Sequence, residues 1–282
     1  MLSAEERRHL ALRAATVVAR RLGLGEVRPQ IIKDSNNTIV HFVPSPIVAK
    51  VGTSHFREAK LESLERELAV ATHLARREAP IVRPSRAVAP GPHRMVGLTL
   101  TLWEYVASVP SAVLDPSETA GALRSVHEAL LDFSEPLPAF TLELEDARKL
   151  LQPDRSPALS VADRSFLFDV LGEVEASLSA RMMGSRPLHG SPHEGNWLVT
   201  ETGPVLLDFE TACIGPPEWD LAALDDAAVA LCPGLDDDLI SVLRRMRSLC
   251  VAAKCWVEPD RAPELGEAAH VHLKLLRGQR LD

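Results

Sequence analysis

Nothing in this sequence approaches the ~18 consecutive apolar residues of a membrane-spanning helix. The chain begins Met1-Leu2-Ser3-Ala4-Glu5-Glu6-Arg7-Arg8-His9, which puts charges where a secretory signal carries its apolar run. Paired cysteines are missing too. Cys213, Cys232, Cys250 and Cys255 form no CxxC and sit late in the chain, so neither a disulfide framework nor a structural zinc site is supported. They read as core thiols of a reducing compartment. Positive charge is short: 31 Lys+Arg stand against 39 Asp+Glu, for a net charge of −8. A general nucleic-acid footprint needs a basic surface and is therefore not expected, although one local basic site could still hold a small phosphate. No internal repeat is evident. The expectation is a soluble, cytoplasmic protein that uses neither membrane nor nucleic acid as a partner.

What is present is ordinary globular material. Apolar residues make up 46% and charged residues 25% of 282 positions, enough chain for two domains or lobes. Leu10, Ala14, Val17, Val18 and Leu22 recur at helical spacing over 4–22, with Gly23 as a stop. Short β-rich stretches follow at 30–32, 38–43 and 47–51, separated by Asp34-Ser35-Asn36-Asn37 and Pro44-Ser45-Pro46, as in an antiparallel meander. A helix is expected over 60–78, then a strand pair at 85–89 and 96–105. Beyond Val106 the pattern turns helical, at 117–131, 162–181, 221–231, 235–255 and 262–276. One β island interrupts it: strands 197–200 and 204–208, joined by Glu201-Thr202-Gly203. The expected architecture is α+β, with a β-rich lobe at 1–106 and a helical lobe at 107–282 that carries the hairpin.

The chemistry concentrates in His189-Gly190-Ser191-Pro192-His193-Glu194-Gly195-Asn196 and, after the hairpin turn, Leu206-Leu207-Asp208-Phe209-Glu210. The Asn196 amide oxygen and the Asp208 carboxylate, at opposite ends of a tight hairpin, suit one hard cation such as Mg²⁺. The plainer reading makes Asn196 a turn residue and Asp208 a strand-end cap.

This stretch resembles the aminoglycoside phosphotransferase and choline kinase family, relatives of the protein kinases. That family's signature is His-Gly-Asp-x-His-x-x-Asn, then a hairpin and an Asp-Phe-Gly-like triplet. His189, Gly190, His193, Asn196, Asp208 and Phe209 stand in register, and Trp219-Asp220-Leu221-Ala222 follows at the family's usual distance. The resemblance implies a bilobal kinase-like fold and transfer of the γ-phosphate of ATP, with GTP as an alternative donor, to a hydroxyl of a small molecule. It implies Mg²⁺ on Asn196 and Asp208, and supporting roles in the catalytic loop for His189, His193 and Asp220. One position departs. Ser191 stands where the family has the aspartate that orients the substrate hydroxyl and accepts its proton. Two functions follow: a kinase that positions its acceptor without a carboxylate base, which a loose transition state permits, or a pseudokinase that binds nucleotide without phosphotransfer.

In the first lobe, Ile47-Val48-Ala49-Lys50-Val51 reads as a strand presenting one lysine. By resemblance Lys50 would hold the α- and β-phosphates and pair with a helix glutamate. With Leu61, Leu64, Leu68, Ala71 and Leu74 as the buried stripe, Glu67 lies on its flank while Glu65 points towards solvent, so Glu67 is the better partner. Ser35, Asn36 and Asn37 resemble the family's phosphate-covering turn, although GxGxxG is absent. Glu104 and Val106, in Leu102-Trp103-Glu104-Tyr105-Val106, would form the hinge whose backbone meets adenine. His127, on an apolar helix face, reads as a core histidine. Asp225, Asp226, Asp236, Asp237 and Asp238 favour a cationic acceptor, with a solvated helix start the better reading of 236–238. A serine hydrolase is disfavoured because Gly190-Ser191-Pro192-His193 is no GxSxG elbow and Pro192 lacks an N–H. A transition-metal site at His189, His193 and Asp208 is disfavoured because the two histidines share a loop, not a helix face.

Overall fold

Alternating burial along Thr38–Val43 shows why the first strands form: Thr38, Val40 and Phe42 are buried while Ile39, His41 and Val43 are half-buried. The computed structural model describes residues 4–35, 37–53, 57–109, 112–261 and 263–279. Among these, α1 (Ala4–Arg21) precedes β1 (Arg28–Asp34), β2 (Thr38–Val43) and β3 (Ile47–Val51); α2 (Arg57–Arg76) precedes β4 (His93–Met95) and β5 (Leu98–Glu104). The five strands pair antiparallel in the order β1-β2-β3-β5-β4. Ala11, Ala14, Ala15 and Val18 of α1 cover one sheet face, packing on Val40, Phe42, Ala49, Val51, Leu100 and Leu102. Strand alternation therefore sends Lys50, between Ala49 and Val51, to the opposite face.

The chain divides into two compact units. One comprises Met1–Leu137 with His189–Ala212, the other Pro138–Leu188 with Cys213–Asp282. Chain order alone suggested a boundary at residue 106, whereas packing also gives the first unit α3 (Pro116–Leu130) and the hairpin of β7 (Trp197–Thr200) and β8 (Gly203–Leu206). Asp115 starts α3 by accepting the Ser117 and Glu118 N–H groups at 2.9 and 3.0 Å, with Pro116 at the first helical position. Hydrogen bonds from Val82 N–H to Leu206 O and from Leu206 N–H to Pro80 O, both 2.9 Å, join the hairpin to the segment after α2.

The second unit is mainly helical: α4 (Leu142–Leu150), α5 (Val161–Ser179), α6 (Pro217–Leu221), α7 (Asp226–Val229), α8 (Asp237–Cys255) and α9 (Pro263–Leu276), with the short pair β6 (Arg186–Leu188) and β9 (Cys213–Gly215). Its core joins Leu144, Leu167, Leu171, Leu243, Met246 and Leu273.

Two expected elements differ. No strand forms over 85–89; Ser85 N–H donates to Leu102 O and Glu104 N–H to Arg83 O at 2.9 Å each, and β4 pairs with β5 instead. Pro84, Pro90 and Pro92 around that segment remove donors that a ladder needs. The expected helix over 221–231 is two short helices, because the Asp225 carboxylate accepts the Ala228 N–H and caps a new start. No helix of the described residues is long and apolar enough to cross a membrane.

Candidate functional site

Local chemistry builds the loop after β6. His189 is fully buried. Its Nδ1 accepts the Ser191 N–H at 3.0 Å, which leaves the proton on Nε2 to be donated to Leu207 O at 3.0 Å. One neutral imidazole thus holds the loop at 191 to the end of the hairpin at 207. Gly190 adopts φ +91°, and a Cβ there would overlap the Thr211 carbonyl, so no side chain fits. Residues 194–196 form a single tight turn whose start His193 caps by accepting the Gly195 N–H at 3.1 Å.

The Asn196 side-chain amide donates to Ser191 O at 2.8 Å. Its carbonyl oxygen remains as an acceptor. Asn196 backbone O accepts the Leu207 N–H at 3.0 Å, so the strand end that precedes Asp208 lies beside Asn196. Asp208 adopts left-handed backbone, φ 70° and ψ 65°, a sparsely populated conformation for which aspartate is among the tolerant residues. This turn aims its carboxylate at Lys50: Nζ lies 2.8 Å from Asp208 Oδ1.

Lys50 also lies 2.8 Å from Glu67 Oε1 and 2.6 Å from Glu210 Oε1. Three carboxylates therefore surround one buried ammonium. Burial works against the Lys50 charge, but Asp208, Glu210 and Glu67 together hold it well above the ordinary lysine value. Burial pushes the Glu67 carboxyl up to about 8, with Lys50 pulling the other way and Asp208 and Glu210 adding to the rise. Glu67 Oε2 and Asn37 Oδ1 are buried and have no hydrogen-bond partner among the described residues.

Lys50, Glu67, Asp208 and Asn37 are brought together, with Ser191 and Asn196 joined beside them through the hairpin. The hydroxyl of Ser191 takes no part in the contact with Asn196, which uses the main chain. Ser35 closes the turn by donating its N–H to Asn37 O at 3.1 Å; Asn36 lies outside the described residues. Glu104 ends β5, and Val106 follows in irregular backbone. Asp220 belongs to the second unit, fully buried in α6. There burial lowers the half-buried Arg247 guanidinium from its ordinary value and the Asp220 carboxylate works against that shift; the guanidinium lies 3.9 Å from the Trp219 ring centre and donates to Trp219 O. Asp225 and Asp236 cap α7 and α8, and their neighbours Arg244 and Arg181 pair with Asp226 and Asp236 at 2.6 and 3.1 Å.

Glu210 was not singled out by sequence. Its Oε1 accepts from Asn37 Nδ2 at 2.7 Å and its Oε2 from Ser63 Oγ at 3.2 Å, while its main-chain oxygen accepts from Arg66 at 2.5 and 3.2 Å. The available signal was its place two residues after Asp208, on the same short turn.

The model of the phosphotransferase enzyme family matches residues 31–249, spanning both units. The chain belongs to this family. No curated protein sequence matches it. Members of known structure share the α+β fold with its antiparallel sheet and helical region. An amicoumacin kinase in complex with AMP-PNP, Ca²⁺ and Ami superposes with a TM-score of 0.70 at 11% identity, covering 95% of each chain. A choline/ethanolamine kinase family protein from Mesorhizobium loti gives 0.65 at 14%, covering 94% of each. The GDP complex of an aminoglycoside 2'-phosphotransferase gives 0.63 at 15%, covering 94% of this chain and 96% of that one.

Proposed function

We propose that the protein is a small-molecule kinase, binding ATP or GTP with Mg²⁺ and transferring the γ-phosphoryl group to a hydroxyl of a small, cationic acceptor. The convergence of Lys50, Glu67 and Asp208 in one buried cluster, with Asn196 held beside Asp208 by the hairpin, carries this reading. The amicoumacin kinase with AMP-PNP, the aminoglycoside 2'-phosphotransferase with GDP and the choline/ethanolamine kinase family protein, all of this fold, agree with it.

Lys50, oriented by Glu67, would hold the α- and β-phosphates, under the turn of Ser35, Asn36 and Asn37. Main-chain groups of Glu104 and Val106 would meet the base. The Asp208 carboxylate, one-third exposed, and the Asn196 amide oxygen are hard oxygen donors of the kind Mg²⁺ takes. Bound there, Mg²⁺ would neutralise charge on the phosphates during transfer. The acceptor oxygen forms a bond to the γ-phosphorus as the bond to the bridging oxygen of the nucleoside diphosphate breaks. Ser191 is no base near neutral pH, but its hydroxyl can accept the hydrogen bond that orients the acceptor. The acceptor proton then leaves late, to a phosphoryl oxygen, as a loose transition state allows. His189 and His193 shape the loop. The four free thiols suit a reducing, cytoplasmic setting.

Ser191 itself favours a second reading, a pseudokinase that binds nucleotide without transfer. Incubation with Mg²⁺, labelled ATP or GTP and a panel of aminoglycosides, other amines and sugars separates the two, with Asp208→Ala as control. Transfer lost in the control supports the kinase. Stabilisation by Mg·ATP with no transfer across the panel supports the pseudokinase, and no nucleotide binding removes both.

A further inference from the structure

Three donors from separate parts of the first unit converge on the Glu210 carboxylate: the Lys50 ammonium at 2.6 Å, the Asn37 amide at 2.7 Å and the Ser63 hydroxyl at 3.2 Å. An ammonium, an amide N–H and a hydroxyl around one acceptor-only group make an anion cradle. Asn37 sits in the turn between β1 and β2, Lys50 in β3 and Ser63 in α2. Arg66, also on α2, grips the Glu210 main-chain oxygen and so fixes where the side chain starts. The carboxylate is mostly enclosed, its side chain 13% exposed.

We propose that Glu210 is a built-in stand-in for a phosphate group, latching the Asn37 turn over Lys50 in the nucleotide-free protein and competing with the polyphosphate for that cradle. The inference rests on the nucleotide-site reading above, and adds to it a residue that disfavours nucleotide arriving without a cation. A metal-free triphosphate has to displace a carboxylate of its own sign from Lys50, with Asp208 2.8 Å from the same nitrogen. A nucleotide carrying a divalent cation brings its own compensating charge. Among the described residues two buried oxygens, Asn37 Oδ1 and Glu67 Oε2, have no partner, so the polar groups around this cradle are not all satisfied by them.

Two measurements on the full chain test this. Hydrogen exchange of the peptide spanning 34–40, without nucleotide, is expected to accelerate in Glu210→Ala and in Asn37→Ala. The double variant should be no faster than the faster single one, because the Asn37–Glu210 contact is already lost in each. Calorimetric binding of AMP-PNP in EDTA is expected to tighten by about tenfold or more in Glu210→Gln, since a like charge close to the phosphates is removed. The gain should be smaller with Mg²⁺. Exchange that stays at the wild-type rate in both single variants would overturn the latch. Wild type that binds Mg·AMP-PNP, with Glu210→Gln gaining nothing in EDTA, would overturn the competition. Failure of every form to bind AMP-PNP, with or without Mg²⁺, overturns the nucleotide reading itself and the competition with it.

Discussion

Asn196 holds Ser191 by its backbone: the side-chain amide donates to the Ser191 carbonyl at 2.8 Å, leaving the serine side chain outside the contact. Replacement of that side chain therefore leaves the loop in place. Ser191→Asp is expected to keep the wild-type melting temperature within a few degrees. Where an acceptor is found, it should raise the transfer rate by ~10²–10⁴-fold, the usual worth of a general base. An unchanged rate, measured with the same acceptor, would mean that the acceptor is oriented by some other group.

Gly190 combines a positive φ with a backbone neighbour where a Cβ would sit. Gly190→Ala must bend the loop or move Thr211. Strain of this kind costs ~1–3 kcal/mol before any overlap is counted, so the loss on chemical denaturation should reach at least that range. A loss below ~0.5 kcal/mol, the scale of a neutral surface change, would show that the loop relaxes freely.

Glu67 makes stability depend on pH. Its folded value, about 8, lies above the ordinary 4.5, so the folded form holds the proton more tightly than the unfolded one. The contribution is full below the ordinary value and is lost as pH rises from about 4.5 towards about 8. Glu67→Gln keeps the shape and cannot ionise. Melting temperatures without nucleotide or metal, taken at pH 5 to 8.5, should show the variant gaining on wild type as pH rises. A variant-minus-wild-type difference that stays constant or falls as pH rises would contradict the assignment.

The cysteines should separate by reactivity. Cys213, Cys250 and Cys255 are buried, and burial pushes the Cys250 thiol up to about 12 and the Cys255 thiol up to about 11. Cys232 is half-buried, near the end of the short helix that Asp225 starts. In the native protein at pH 8 a disulfide reagent is expected to label Cys232 first, and the other three only on unfolding. Rapid release of more than one equivalent would show that the helical core opens.

Much of the site was legible because its parts are local. The phase of α2 sets Glu67 apart from Glu65, and alternation in β3 puts Lys50 on the face opposite Ala49 and Val51. The spacing from His189 to Asn196 and on to Asp208 marks the loop and hairpin. Glu210 was not legible in the same way, because its partners Asn37 and Ser63 lie 173 and 147 residues away and no periodicity links them. The expected strand at 85–89 failed for the opposite reason: its apolar residues suggested a ladder, while the surrounding prolines withheld the donors to build one. In the helical region, Asp225 read as a charge for a ligand, whereas its carboxylate is spent on the Ala228 N–H.

The interleaving of the two units bears on how the protein is made. The chain leaves the first unit after Leu137, returns at His189 and leaves again after Ala212. A ribosome must therefore pass residue 210 of 282 before Lys50 can meet both Asp208 and Glu210. Until then a lysine and a glutamate destined for burial have only each other, and the nascent sheet waits for its last ion pairs. A gene cut at residue 106 would encode a sheet without its hairpin and a helical remainder carrying a hairpin without its sheet, so the two halves are expected to recover a folded protein only when produced together.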